Sequence, residues 1–179
     1  MIITLVRHAE VIKEYQGKYN GHIDIPLSPN GIVQAKELAK KLQDEKFDKI
    51  YCSDLLRAKQ TLKEFTYDVI PIYTDQLREK SWGIHEGKSF QEIQDMGIEY
   101  ENFEQWISAL DGEDIKSYLE KIELYFKEII FKQKEKNILV VTHSGVIKTL
   151  ISILDKCSLE EAFKIEFPYS SYKRLETIE

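Results

Sequence analysis

The sequence predicts an α/β fold, a sandwich built on a mostly parallel central sheet. Three observations carry that prediction. Apolar runs at IITLV, KIYCS and NILVV have the length and β-branched content of buried strands. Amphipathic stretches of helical period lie between them. Two of the strands also deliver a histidine at their carboxyl end, the edge of a parallel sheet where ligands sit.

The elements follow in order. IITLV opens the chain as a strand, and VIKEYQGKYNGHIDIP is a long loop with turn residues at Gly17, Asn20 and Gly21. Ser28 followed by Pro29 marks a helix start, a side-chain cap followed by a residue pre-set for the first turn. Ile32, Ala35, Leu38, Ala39 and Leu42 then form its apolar stripe, with Lys36, Glu37, Lys40 and Lys41 solvated. DKIYCS is the second strand, and Ser53 is expected to cap a helix through DLLRAKQTLKEF. Pro71-Ile72-Tyr73 reads as a short third strand. Leu77 to Gly112 mixes loop and helix. A strong amphipathic helix spans Asp114 to Gln133, with Ile115, Leu119, Ile122, Phe126, Ile129 and Ile130 as its stripe. NILVVTHS is a further buried strand, followed by the helix GVIKTLISILD. Ser158 caps a short helix, and YKRLETI is a final edge strand.

Composition narrows the function class. At 179 residues, with 42% hydrophobic and 31% charged residues, the chain suits a single soluble domain over residues 1–179. No run approaches the roughly 20 apolar residues that span a bilayer, and no signal peptide is evident, so the cytoplasm is the expected compartment. A net charge of −6 argues against nucleic-acid or anionic-membrane binding, although a small anion needs only a local positive cluster. Cys52 and Cys157 have no metal-binding or redox spacing and read as structural thiols.

Four clusters meet at the predicted sheet edge: Arg7-His8, Arg57, Glu79 and His143. Two arginines and two histidines around one point make a pocket for a dianion, because the planar guanidinium fork matches phosphate oxygens. A neutral histidine there can attack phosphorus, and a nearby carboxylic acid can protonate the leaving alcohol. Burying cations at a strand end is costly unless an anion completes the site. Each cluster alone is a weak signal; their joint placement is the argument.

LVRHAE, SDLLRAKQT, LREKSWGIHEG and VVTHSGVIKTL, in that order, resemble the motifs of the histidine phosphatase superfamily. The resemblance runs from Ile3 to about Leu150 and implies the phosphoglycerate-mutase-like fold, a three-layer α/β/α sandwich. It implies that His8 is the nucleophile, that Arg7, Arg57 and His143 complete the phosphate pocket, and that Glu79 is the general acid. Catalysis of this type uses neither metal nor cofactor. Asn20 and Gly21 fall where the family's loop approaches the substrate. His22, Trp82 and His85 are further candidates for substrate contact. Three positions depart from the pattern: Ala9 replaces a usual glycine, Glu14 a frequent asparagine, and Ser144 a glycine, its hydroxyl or N–H now a potential phosphate donor.

The short chain leaves little room for the insertions that cover the site in mutases, and the Gly83…Glu86-Gly87 arrangement is similar to the phosphatase branch. KYNGHIDIPLS is similar to alpha-ribazole phosphatases, and also to general sugar-phosphate phosphatases. The expected partner is a small phosphorylated substrate, with specificity in a variable segment over residues 88–114. The expected assembly is a monomer or homodimer. A mutase, a metallohydrolase with His8, Glu10, Glu79 and His143 as ligands, and a non-catalytic phospholigand-binding module are the alternatives.

Overall fold

The computed structural model describes residues 1–176. Strand β1 (Ile2–Arg7) is an interior strand of the chain's main sheet. The two-residue strand β2 (Lys18–Tyr19) follows in the first loop, and helix α1 (Pro29–Lys41) starts on Ser28, whose Oγ accepts the Gly31 N–H at 2.8 Å. Then come β3 (Lys49–Ser53), α2 (Leu56–Lys63), β4 (Ile72–Thr74), β5 (Lys88–Ser89), α3 (Phe90–Gln94) and α4 (Phe103–Ala109). The chain ends with α5 (Ile115–Tyr125), β6 (Asn137–Thr142), α6 (Ser144–Asp155), α7 (Leu159–Lys164) and β7 (Tyr172–Glu176). The last residues of the expected edge strand, 177 and 178, lie outside the described residues.

The main sheet has the order β4-β3-β6-β1-β7, parallel except for β7, which pairs antiparallel to β1. Strand alternation sorts its side chains into two layers. Ile3, Leu5, Tyr51, Ile138 and Val140 face α5, α6 and α7, while Val6, Ile50, Cys52, Leu139 and Val141 face α1 and α2. This is the expected three-layer sandwich. β2 and β5 form a separate two-stranded ribbon beside a smaller cluster of Trp82, Ile93, Trp106, Ile107 and Leu110. No helix among the described residues is long and apolar enough to cross a membrane.

Three expectations about the elements need correction. Ser53 does not cap α2: it ends β3, and the first N–H of α2, that of Leu56, turns to Asp24, whose Oδ1 accepts it at 2.6 Å. The long helix after Asp114 changes period at Phe126–Ile130, a π-turn closed by Phe131 N–H on the Phe126 carbonyl at 2.8 Å. The wider turn shifts the stripe, leaving Ile129 exposed and Ile130 buried. Ile32 is likewise exposed on α1, where Gly31 lies against the Glu10 backbone in its stead.

Candidate active site

The parallel register of β1 and β6 places Arg7 beside Thr142, so the residues that follow, His8 and His143, emerge together. Their ring centroids are 5.1 Å apart. His8 stays on the sheet through its N–H to the Thr142 carbonyl at 2.9 Å. Its Nδ1 lies 2.8 Å from the Ala9 carbonyl, so Nδ1 carries the proton and the Nε2 lone pair is free. Burial first, and then the charges of Arg57 and Arg7, hold the His8 ring well below its usual pKa of 6.5. His143 is shifted the same way, by burial and then chiefly by Arg57. Its Nε2 is 2.8 Å from Ser53 Oγ, and its buried Nδ1 has no hydrogen-bond partner among the described residues.

Arg57 is 1% exposed, and burial pulls its guanidinium down to about 10. It is aimed by the first loop: Nη1 donates to the Ile23 carbonyl at 2.8 Å and Nη2 to the Gly21 carbonyl at 2.7 Å. Arg7 donates from Nη1 to the Phe167 carbonyl, and its guanidinium lies over the Tyr169 ring at 4.1 Å. Its Nε is buried without a partner among the described residues. A cleft of about 200 Å³ opens over these groups, walled by the loop from Gly17 to Gly21, Glu79, Trp82, the start of α6, and Phe163 and Tyr169.

Glu79 reaches the cleft on a loop pinned at the two residues before it. Arg78 forms a two-point ion pair with Asp54 at 2.7 and 2.6 Å, and Thr142 Oγ1 donates to the Leu77 carbonyl at 2.7 Å. The carboxylate accepts the Gly145 N–H at Oε2, 3.0 Å away, and the Tyr118 hydroxyl at Oε1, 3.2 Å away. Behind it, His22 Nε2 is 2.9 Å from the Glu79 carbonyl and 3.5 Å from Glu113. Burial alone would raise the Glu113 carboxyl, but hydrogen bonds from His22, Lys121 and the Ser81 N–H outweigh it and hold the group down at about 2.

The structure therefore brings Arg7, His8, Arg57, Glu79, His143 and Ser144 to one place. Asn20 and Gly21 line the cleft with them. Trp82 contributes an edge while 7% exposed, its face covered by the Lys80 ammonium at 4.3 Å. His22 stands behind Glu79 rather than in the cleft. His85 is also kept from it: the ring is buried and its Nδ1 accepts the Asp111 N–H at 3.0 Å. No residue of 88–114 lines the cleft; the segment acts from behind, through Trp106 Nε1, which donates to Tyr19 Oη at 2.9 Å. Phe163 and Tyr169 take the place expected of it. Sequence reasoning passed over both, as well as Tyr118 and Ser53, because only tertiary contacts bring these residues to the motif groups. Tyr118 did leave a signal, since it lies four residues before Ile122 on the α5 stripe.

The departures from the family pattern are accommodated. Ala9 has no positive φ, donates its N–H to Thr61 Oγ1 at 2.9 Å and packs its methyl with Leu27 and Ala35. Glu14 is exposed and outside the cleft. Glu10, a ligand in the metallohydrolase alternative, is turned to α1, where it accepts from Ser28 Oγ at 2.6 Å. Among the described residues no cluster of three histidine, cysteine or acidic side chains is arranged to hold a metal ion. Burial pushes the Cys52 thiol far up, which suits an inert core residue.

The chain is similar to known phosphatases and mutases. The chain is 30% identical over 166 residues to the adenosylcobalamin/alpha-ribazole phosphatase of Escherichia coli, covering 86% of this chain and 79% of that one. A 2,3-bisphosphoglycerate-dependent phosphoglycerate mutase of Methanococcus vannielii is 26% identical, with 93% and 86% covered. The structure of phosphoserine phosphatase from Entamoeba histolytica in complex with 3-phosphoglyceric acid superposes with a TM-score of 0.78 at 28% identity, covering 97% of this chain and 89% of that one. The sequence model of the histidine phosphatase superfamily (branch 1) matches residues 3–179, and the chain belongs to that superfamily.

Proposed function

We propose that this protein is a metal-independent phosphomonoesterase that hydrolyses a small phosphorylated metabolite through a phosphohistidine on His8. The observation that carries the reading is the His8 ring. Its Nδ1 is committed to the Ala9 carbonyl, its Nε2 keeps a lone pair, and burial beside Arg57 and Arg7 favours the neutral form. Such a ring is a nucleophile at neutral pH.

In the first step Arg7 and Arg57 hold the phosphoryl oxygens, and a proton on His143 Nδ1 adds a donor. Ser144, at the start of α6, offers another. His8 Nε2 bonds to phosphorus, the bond from phosphorus to the leaving oxygen breaks, and Glu79 gives its proton to that oxygen. In the second, water attacks phosphorus, Glu79 takes the proton from it, the nitrogen–phosphorus bond breaks and inorganic phosphate leaves. General acid–base help of this kind is worth about 10²–10⁴ in rate. The loop likeness and the E. coli relative make alpha-ribazole phosphate the first substrate to test.

Rapid quenching with radiolabelled substrate tests the mechanism. Acid-labile label on the His8 peptide is expected, and His8→Ala should abolish both label and turnover while chelators leave the wild-type rate unchanged. Turnover by His8→Ala would overturn the reading. A mutase relative favours a second outcome, so phosphoglycerates should be assayed with a bisphosphate primer. Isomerised phosphoglycerate in place of inorganic phosphate would make the enzyme a mutase.

A further inference from the structure

The two oxygens of Glu79 are not equivalent. Oε1 accepts twice, from the Tyr118 hydroxyl and from the Lys80 N–H, each at 3.2 Å. Oε2 accepts once, from the Gly145 N–H at 3.0 Å. A carboxyl oxygen has two acceptor directions, so Oε1 is filled and Oε2 has one left. Two of the three donors are backbone groups; Tyr118 is the only side chain among them. It is 2% exposed, on the face of α5 that packs into the core.

We infer that Tyr118 is a positioning residue for proton transfer: together with the Lys80 N–H it fills Oε1 of Glu79 and so keeps the transferable proton on Oε2. A proton on Oε1 would have to displace a buried donor, leaving it unsatisfied. The proton on Oε2 passes to the leaving oxygen as the ester bond breaks, and returns to Oε2 from the attacking water. Burial first, and then the neighbouring Glu79 and Glu113, raise the Tyr118 phenol well above its usual range, so it remains a donor throughout. The inference rests on the proposed role of Glu79 as proton donor.

The test is kcat/KM of Tyr118→Phe across a series of phosphate monoesters, from alkyl esters, whose leaving oxygen needs a proton, to dinitrophenyl phosphate, which needs none. An alkyl ester should lose about tenfold and dinitrophenyl phosphate less than about twofold. The second substrate also reports the fraction of folded, competent sites. In a Glu79→Gln background the same change should add less than about twofold for alkyl esters, because there is no longer a proton to place. Equal losses across the series, no loss anywhere, or a full additional loss in the Glu79→Gln background would each overturn the role of Tyr118. Should Glu79→Gln itself hydrolyse alkyl esters at the wild-type rate, the proton-donor reading fails instead.

Discussion

Gly145 and Ala9 show how little space separates function from packing. A Cβ on Gly145 would overlap the Glu79 carboxylate, so the carboxylate could no longer keep its place on the Gly145 N–H. Gly145→Ala should therefore lower kcat by ~100-fold, as a misplacement of this size does, with a circular dichroism spectrum like that of the wild type. Wild-type kcat in the variant would refute this account of the glycine. Ala9 is the converse. Its backbone needs no glycine and its methyl fills a buried contact with Leu27 and Ala35. Ala9→Gly should bring no gain in rate and should destabilise by about 1 kcal/mol in urea unfolding.

Among the elements, α2 matters most for binding, because it carries Arg57 one residue into its first turn. Leu55, at its cap position, provides no side-chain acceptor, and Asp24 supplies one from the chain's first loop. The same loop presents the Gly21 and Ile23 carbonyls that aim the guanidinium. Loss of the Asp24 carboxylate thus loosens helix and arginine together. Asp24→Ala should cost about 1 kcal/mol of stability, measured by urea unfolding, and should raise the inhibition constant for inorganic phosphate. An unchanged phosphate constant would mean that the loop carbonyls hold Arg57 unaided. The π-turn at the end of α5 serves packing instead, keeping Phe126 and Ile130 buried while Ile129 turns outward.

For the whole molecule, two buried histidines at the sheet's edge tie stability to pH. Both are held neutral in the folded state, well below 6.5, whereas the unfolded chain binds protons near that value. Below 6.5 the unfolded state therefore carries more protons than the folded one, and stability rises with pH. The contribution is fully present above pH 6.5 and is lost as pH falls from there toward the folded-state values, at up to about 1.4 kcal/mol per pH unit for each histidine. Urea unfolding between pH 5 and 6.5 should show this slope, and His8→Asn should lower it, leaving the shares of His143 and of the buried His85 ring. A flat profile in that window would show that the rings are not held neutral.

The sequence by itself determined the architecture and the ends of its strands. Apolar runs and helical stripes are local patterns, and Arg7, His8, Arg57, Glu79 and His143 stand at fixed offsets from them, so the sheet rule alone sends them to one edge. Only the tertiary structure decided what surrounds that set. Ser53, at the end of β3, meets His143 at the end of the neighbouring β6 instead of capping a helix, and His85 is spent on the Asp111 backbone. Tyr118 reaches Glu79 from 39 residues away, and Phe163 and Tyr169 line the cleft in place of the segment 88–114. The physical reason is that a periodic pattern reports which face a residue occupies, whereas a hydrogen-bond partner is set by which other element packs against that face.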